Sequence, residues 1–245
     1  MKNTFDGEVV LITGSSRGIG AATARLAKQR GAKVVLHGRT ESVQLKNLAK
    51  ELESEYIVCE VVDEGAVKKA VNEVLKQVER IDVLVNCAGV STSKPFIELT
   101  DEDWLDAFKV NVLGTVHACK AVLPHMQKQK SGRIINISSI RGYGVTSGRA
   151  AYSAAKASII NLTCTLAKEY APDILVNAVA PGFTETDMAK TWSDRVWNQV
   201  KQSLLGRVAQ PEEIAEAILF LSSPKNTFIT GQTLLVDGGY SIAGK

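Results

Sequence analysis

Histidine and cysteine are scarce in this chain. Its 245 residues hold three histidines, His37, His117 and His125, and four cysteines, Cys59, Cys87, Cys119 and Cys164. The cysteines are scattered, with no C-x-x-C pair and no Cys/His cluster, which argues against a metal site. Each lies in an apolar setting, so four buried, reduced thiols are expected. No histidine has local sequence support for a His-dependent triad. A large charge of one sign is also lacking. The formal net charge is +3, and no basic run exceeds a few residues, which argues against a nucleic-acid partner. Long apolar runs are missing too. Met1 to Glu8 is polar, and the "VVLIT" that follows is far shorter than a membrane span. The expectation is a cytoplasmic, metal-free protein with no membrane partner.

What is present is an alternation of short apolar runs and helical periodicity. Strands are expected at Glu8 to Thr13, Lys33 to Gly38, Tyr56 to Val62, Ile81 to Asn86, Arg133 to Ser138, Ile174 to Pro181 and Thr233 to Gly239. Helices are expected between them. They include Ser42 to Glu53, Glu64 to Val78, one long helix from Asp101 to Met126, Tyr152 to Tyr170, and one opened by Pro211. Continuous β-branched runs mean strands covered on both faces, and strand–helix alternation means a parallel sheet. The fold class is therefore α/β, a single doubly wound domain spanning residues 1–245 with helices on both faces of the sheet. Its longest irregular stretch, from Gly182 to about Leu205, contains a candidate lid at about 184–205.

"TGSSRGIG" lies between the first strand and its helix. Gly14 permits a tight turn off the strand, Gly18 leaves room for a pyrophosphate, and Gly20 lets the helix pack closely. The helix N-terminus then faces an anion. A tight turn with no ligand is the plain alternative. The second strand ends "VVLHGRT". Gly38 stands where an NAD site would carry an acid, and Arg39 and Thr40 follow. Arg39 and Arg17 suit a 2′-phosphate, which favours NADP(H). Alternatively, Arg17 pairs with a surface acid.

"NISSIRGYGVTSGRAAYSAAK" holds two serines, Tyr152 and Lys156. The last two are i and i+4 on a helix and share a face, beside the small Ser153, Ala154 and Ala155. A tyrosine titrates near pH 10 in water, and a neighbouring ammonium favours its phenolate. Taken alone, Y-x-x-x-K is a solvated helix face. The glycine loop upstream is what lends it chemistry.

Together, "TGSSRGIG", "NCAG", Asn111, the serines before Tyr152, "YSAAK" and "VAPGFTETDM" resemble the classical short-chain dehydrogenases/reductases over nearly the whole chain. The resemblance implies a Rossmann-type fold with about seven parallel strands, assembled as a homotetramer. It implies that Tyr152 is the general acid in ketone reduction and the base in alcohol oxidation. Lys156 would lower its pKa and hold the cofactor ribose. Ser139, rather than Ser138, would hydrogen-bond the substrate carbonyl, and Asn111 would hold a water relaying protons to Lys156. Cofactor contacts are implied for Gly14, Ser16, Arg17, Gly18, Ile19 and Gly20 in the first loop. Asn86, Ala88 and Gly89 would lie along the adenosine ribose, with Cys87 where a second Asn is usual. Glu60 and the Val61 backbone would meet the adenine. Pro181, Gly182, Phe183 and Thr184 would meet the nicotinamide amide, and Thr186 the phosphates.

Within that family, "PGFTETDM", "LLGRVAQPEEIAEAILFLSS" and "ITGQTLLVDGGY" are most similar to the 3-oxoacyl-[acyl-carrier-protein] reductases. One departure stands out. Carrier-acting relatives often carry basic residues before the sixth strand, where this chain reads "EYAPDILVN" with Asp173 and no Arg. Lys128, Lys130 and Arg133 supply positive charge on a nearby surface. Rival substrates are a small ketone, a quinone, a sugar or a secondary alcohol. A non-catalytic nucleotide sensor on the same fold would typically have lost Tyr152 or Lys156. The pocket is expected from residues 91–98, 141–149 and the stretch after Thr186. Arg141 and Arg149 flank it, with Arg141 a candidate for holding an anionic substrate. Trp192 and Trp197 would cap an apolar substrate or pack a subunit interface.

Overall fold

The computed structural model describes residues 4–144, 146–187, 189 and 192–243. The expected domain ends, Val145 of the pocket loop, and Met188, Lys190 and Thr191 of the expected lid lie outside the described residues. Seven strands form one sheet: β1 (Val9–Thr13), β2 (Lys33–Gly38), β3 (Glu55–Val58), β4 (Val83–Asn86), β5 (Gly132–Ile137), β6 (Ile174–Pro181) and β7 (Thr233–Val236). Their order is β3-β2-β1-β4-β5-β6-β7, and every pairing is parallel. The strand order reverses between β1 and β4, where open α/β sheets place their ligand crevice. Thr13 registers with Asn86, and Asn86 with Asn136, so the carboxyl ends of β1, β4 and β5 are level there.

Helices cover both faces. The described ones are α1 (Gly18–Gln29), α2 (Val43–Leu52), α3 (Glu64–Val78), α4 (Asp101–Phe108), α5 (Gly114–Gln129), α6 (Ala150–Tyr170), α7 (Asp194–Val200) and α8 (Pro211–Ser222). Alternate residues of β1 face opposite sides, as the strand period requires. Val10 and Ile12 pack with Ala24 of α1, Leu48 of α2 and Ile218 of α8. Val9 and Leu11 pack with Val71 of α3 and Val122 of α5. All five β1 residues are buried, which is why the run is continuously apolar.

Several expectations are corrected. The helix expected from Asp101 to Met126 is two helices joined by a π-helical segment, Lys109–Leu113. Asn111 sits in that segment, its Nδ2 donating to Ala107 O and to Val90 O, so its side chain reaches outside the helix as well as into it. The third strand ends at Val58, because the backbone beyond it is used elsewhere. Cys59 O meets the His37 ring and Val61 O the His117 ring. The last strand ends at Val236, before Gly238 and Gly239, which both have positive φ. The stretch after Gly182 contains α7 and is not wholly irregular. Cys164 is exposed, with its thiol 3.4 Å from Gly231 O, so not every thiol is buried. Arg133 lies 3.6 Å from Glu8 and adds little free surface charge, since each side chain is mostly covered.

Candidate active site

The first glycine loop is held by its neighbours. Thr13 Oγ1 accepts from the backbone N–H groups of Cys87 and Ala88, at 3.1 and 3.2 Å, which fastens the β1 turn to the β4 turn. Gly14 has φ +65°, and a Cβ there would stand 2.7 Å from Ala88 Cα. Only glycine meets both demands. The Gly14 N–H donates to His37 Nδ1 at 3.0 Å, and His37 Nε2 lies 3.0 Å from Cys59 O. With Nδ1 accepting, the proton sits on Nε2. Burial pushes the His37 pKa below its ordinary value. His37 is a supporting residue that motif reading passed over. Its only signal was a histidine in an otherwise apolar strand.

The start of α1 suits an anion. No acidic residue occupies its first turn, and the Arg17 N-cap side chain makes no capping bond. Gly18 has φ +57°, and a Cβ there would lie 3.3 Å from the Thr186 side chain. A groove of about 640 Å³ runs past Ser16, Arg17, Gly18 and Thr186. Ile19 packs against the core and Gly20 is buried, where a Cβ would stand 2.5 Å from Gly14 O. Arg17 lies 3.9 Å from Asp187 and Arg39 3.8 Å from Glu60, all four side chains well exposed. Exposed pairs of this kind are weak, so both guanidiniums remain open to a phosphate. Thr40 is exposed beside Arg39.

Asn86 turns its side chain inward, donating to Asn136 Oδ1 at 2.9 Å, which leaves its backbone to the crevice. Ala88 and Gly89 follow, Gly89 exposed. A Cβ on Gly89 would stand 2.8 Å from Asn111 Oδ1 and 3.5 Å from Lys156 Nζ. On the other side, β6 ends at Pro181. Gly182 N–H donates to Val236 O, Ala209 N–H to Phe183 O, and Thr184 Oγ1 to Gly182 O.

Four side chains gather at this end of the sheet. Ser138 Oγ donates to Lys156 O at 2.8 Å, a structural bond inside the core. Ser139 Oγ accepts from Arg141 N–H at 3.1 Å and faces the cavity that Tyr152 also lines. Burial pushes the Tyr152 phenol above its ordinary value, while the Ser139 hydroxyl and the charges of Arg149 and Arg141 pull it down. Lys156 is 5% exposed, and burial brings its pKa down to about 8. Its Nζ donates to Ile137 O at 2.8 Å and sits 5.8 Å from the centre of the Tyr152 ring. An ammonium has three donors, and Ile137 O is its one hydrogen-bond acceptor among the described residues. Hydroxyls of a ribose fit the donors left over.

A cavity of about 470 Å³ opens above Ser139 and Tyr152, walled by Arg141, Arg149, Phe183 and Trp192. Phe183 packs edge-on against Trp192 and Tyr240, and Trp192 against Trp197. Trp192 lines this cavity, whereas Trp197 faces the groove beside α1.

An open parallel sheet with a glycine loop and a tyrosine–lysine pair at the carboxyl ends of its strands defines a Rossmann-type oxidoreductase. The family model described as "Enoyl-(Acyl carrier protein) reductase" matches residues 14–241. The chain is 40% identical to the 3-oxoacyl-[acyl-carrier-protein] reductase FabG of Aquifex aeolicus, over 98% of this chain and 99% of the relative. It is also 40% identical to that of Thermotoga maritima, over 97% and 99%. The crystal structure of a gluconate 5-dehydrogenase from Burkholderia cenocepacia, in complex with NADP and tartrate, matches with a TM-score of 0.93 and 33% identity over 99% of each chain. The chain belongs to the short-chain dehydrogenase/reductase family, oxidoreductases that use a nicotinamide cofactor and act on ketone or CH–OH groups.

Proposed function

We propose that this chain uses NADPH to reduce a ketone to a secondary alcohol, with Tyr152 as the general acid. The observation that carries this reading is that Ser139 and Tyr152 line one cavity, with buried Lys156 one helical turn along α6. A nicotinamide dinucleotide bound along the glycine loop supplies the hydride. Gly14, Ser16, Gly18 and the start of α1 hold its pyrophosphate, while Arg17, Arg39 and Thr40 hold a 2′-phosphate. The backbone of Asn86 to Gly89, with Glu60 and Val61, flanks the adenosine. The turn from Pro181 to Thr184 meets the amide, and Thr186 the phosphates.

Burial keeps the Tyr152 phenol protonated at neutral pH, so it enters the reaction carrying the proton it must give. Ser139 orients the carbonyl oxygen, and Tyr152 Oη delivers its proton there. The resulting phenolate is stabilised by Ser139, by the nearby guanidiniums and by Lys156, which is still protonated at pH 7. Lys156 holds the ribose with its remaining N–H groups. Lys156 then returns a proton to the phenolate, and Asn111, whose Oδ1 lies near Gly89 as does Lys156 Nζ, positions the water that reprotonates the lysine.

The names of the relatives support a 3-oxoacyl thioester on an acyl-carrier protein as substrate. The cations around the cavity, and the tartrate in the gluconate 5-dehydrogenase complex, favour a second reading, a small oxo acid. Residues 184–205 act as the lid, and the working form is a cytoplasmic homotetramer of single-domain chains. NADPH oxidation, followed by absorbance, tests the reading with an acetoacetyl thioester, simple ketones, sugars, quinones and oxo acids. NADH is run alongside. Absence of turnover with every ketone refutes it, and absence of turnover with the thioester alone removes the carrier-linked substrate.

A further inference from the structure

Three cationic side chains line the cavity above Ser139 and Tyr152: Lys94, Arg141 and Arg149. No Asp or Glu lines it among the described residues. Lys94 is neutralised, since its ammonium lies 2.7 and 2.8 Å from the two carboxylate oxygens of Asp103. The two arginines are not. Arg141 donates to Gln199 Oε1 at 3.2 Å and lies over the rings of Phe183 and Tyr240, at 5.3 and 5.6 Å. Arg149, at the N-terminus of α6, donates to Ser91 Oγ. Neither guanidinium has a carboxylate partner among the described residues.

A guanidinium offers five N–H donors, and among the described residues most are unspent on both side chains. Burial of Arg149 and repulsion from Arg141 both disfavour its charge. Two guanidiniums on one cavity, with no carboxylate partner among the described residues, form a site that an incoming anion stabilises. The cavity also has apolar lining from Ile140, Phe183, Trp192 and Val196. That leaves a narrow set of shapes for the ligand.

We infer that the cavity takes a ketone bearing a free carboxylate, the carbonyl at Ser139 and Tyr152, the carboxylate on Arg149 and Arg141, and the carbon skeleton against Trp192. This rests on the ketone-reductase reading and assigns its substrate class. The planar fork of a guanidinium matches a carboxylate through two parallel N–H···O bonds, which an ester or an uncharged acyl chain does not reproduce. Arg149 thereby becomes a specificity-determining residue. It stands three positions before Tyr152 on the same helical turn, so the anion is fixed next to the proton donor.

The test compares straight-chain 2-, 3-, 4- and 5-oxo acids with their methyl esters, using NADPH and the wild-type protein. The expected result is that the best acid exceeds its own ester by at least about tenfold in kcat/KM, the range of one charge-assisted hydrogen bond. Arg149→Gln, and separately Arg141→Gln, bring that ratio toward one. Esters reduced as well as or better than acids by the wild-type protein overturn the inference and leave the ketone-reductase reading intact. If no ketone is reduced, that reading fails instead. The anion site is then judged by calorimetric titration of malonate. Binding that is lost in Arg149→Gln supports it, and binding that is absent or unchanged overturns it.

Discussion

His37→Phe removes the acceptor of the Gly14 N–H and the donor to Cys59 O in one change. Each group left unpaired in a covered position costs about 1–3 kcal/mol, so the pair costs about 2–6 kcal/mol. A chain of this size loses about 2–4 °C in Tm per kcal/mol. At pH 8 the variant is expected to melt at least about 4 °C below the wild type, and His37→Leu should do the same, which sets ring size aside as the cause. The gap depends on pH, and its sign follows from burial. The folded His37 pKa is depressed below 6.5. The unfolded chain therefore takes up a proton that the folded chain refuses. The bonds contribute fully above about pH 6.5 and lose ground as pH falls toward the folded value. Protonation of Nδ1 also turns the acceptor facing Gly14 into a donor. Melting curves by circular dichroism at pH 8 and pH 5.5 read both effects. The gap between wild type and variant should narrow in acid, and the comparison cancels other titrating groups such as Glu8. A gap under about 1 °C at pH 8, or one that is equal at both pH values, refutes the role assigned to the imidazole.

Three further outcomes are expected. Tyr152→Phe retains NADPH binding, read by fluorescence titration, but lowers kcat by about 10²–10⁴, and retained turnover removes Tyr152 as the acid. Arg39→Asp places a carboxylate where the 2′-phosphate would sit, near Glu60, and lowers the ratio of kcat/KM with NADPH to that with NADH by at least about tenfold. An unchanged ratio removes Arg39 from phosphate binding. Ser139→Ala lowers kcat by about 10²–10³, whereas Ser138→Ala, which loses a buried bond to Lys156 O, lowers stability by about 1 kcal/mol. The reverse pattern makes Ser138 the catalytic hydroxyl.

Elements with strong boundary signals were readable in the chain itself. β2 ends at Gly38, α3 begins after the Asp63 cap, and β6 ends at Pro181, each at the expected residue. The break in the long helix was not readable, because residues 101–126 keep helical periodicity throughout. The π segment is stabilised by Asn111 bonding across to Val90, 21 residues away, a contact that local pattern does not encode. Cys164 misled for a related reason. Apolar sequence neighbours do not say which side of α6 faces out.

The order of glycines, strands and the Tyr152–Lys156 spacing was set by sequence alone, since each rests on backbone conformation or helical repeat within a few residues. It determined the family and the sheet, and it supplied the side chains proposed to react. Tertiary structure decided what surrounds them. It brought His37 to Gly14 across 23 positions, tied Ser138 into the core while leaving Ser139 in the cavity, and set Arg141 and Arg149 on one cavity with no Asp or Glu lining it among the described residues. Those are matters of distance and burial between remote segments, which local sequence pattern does not encode.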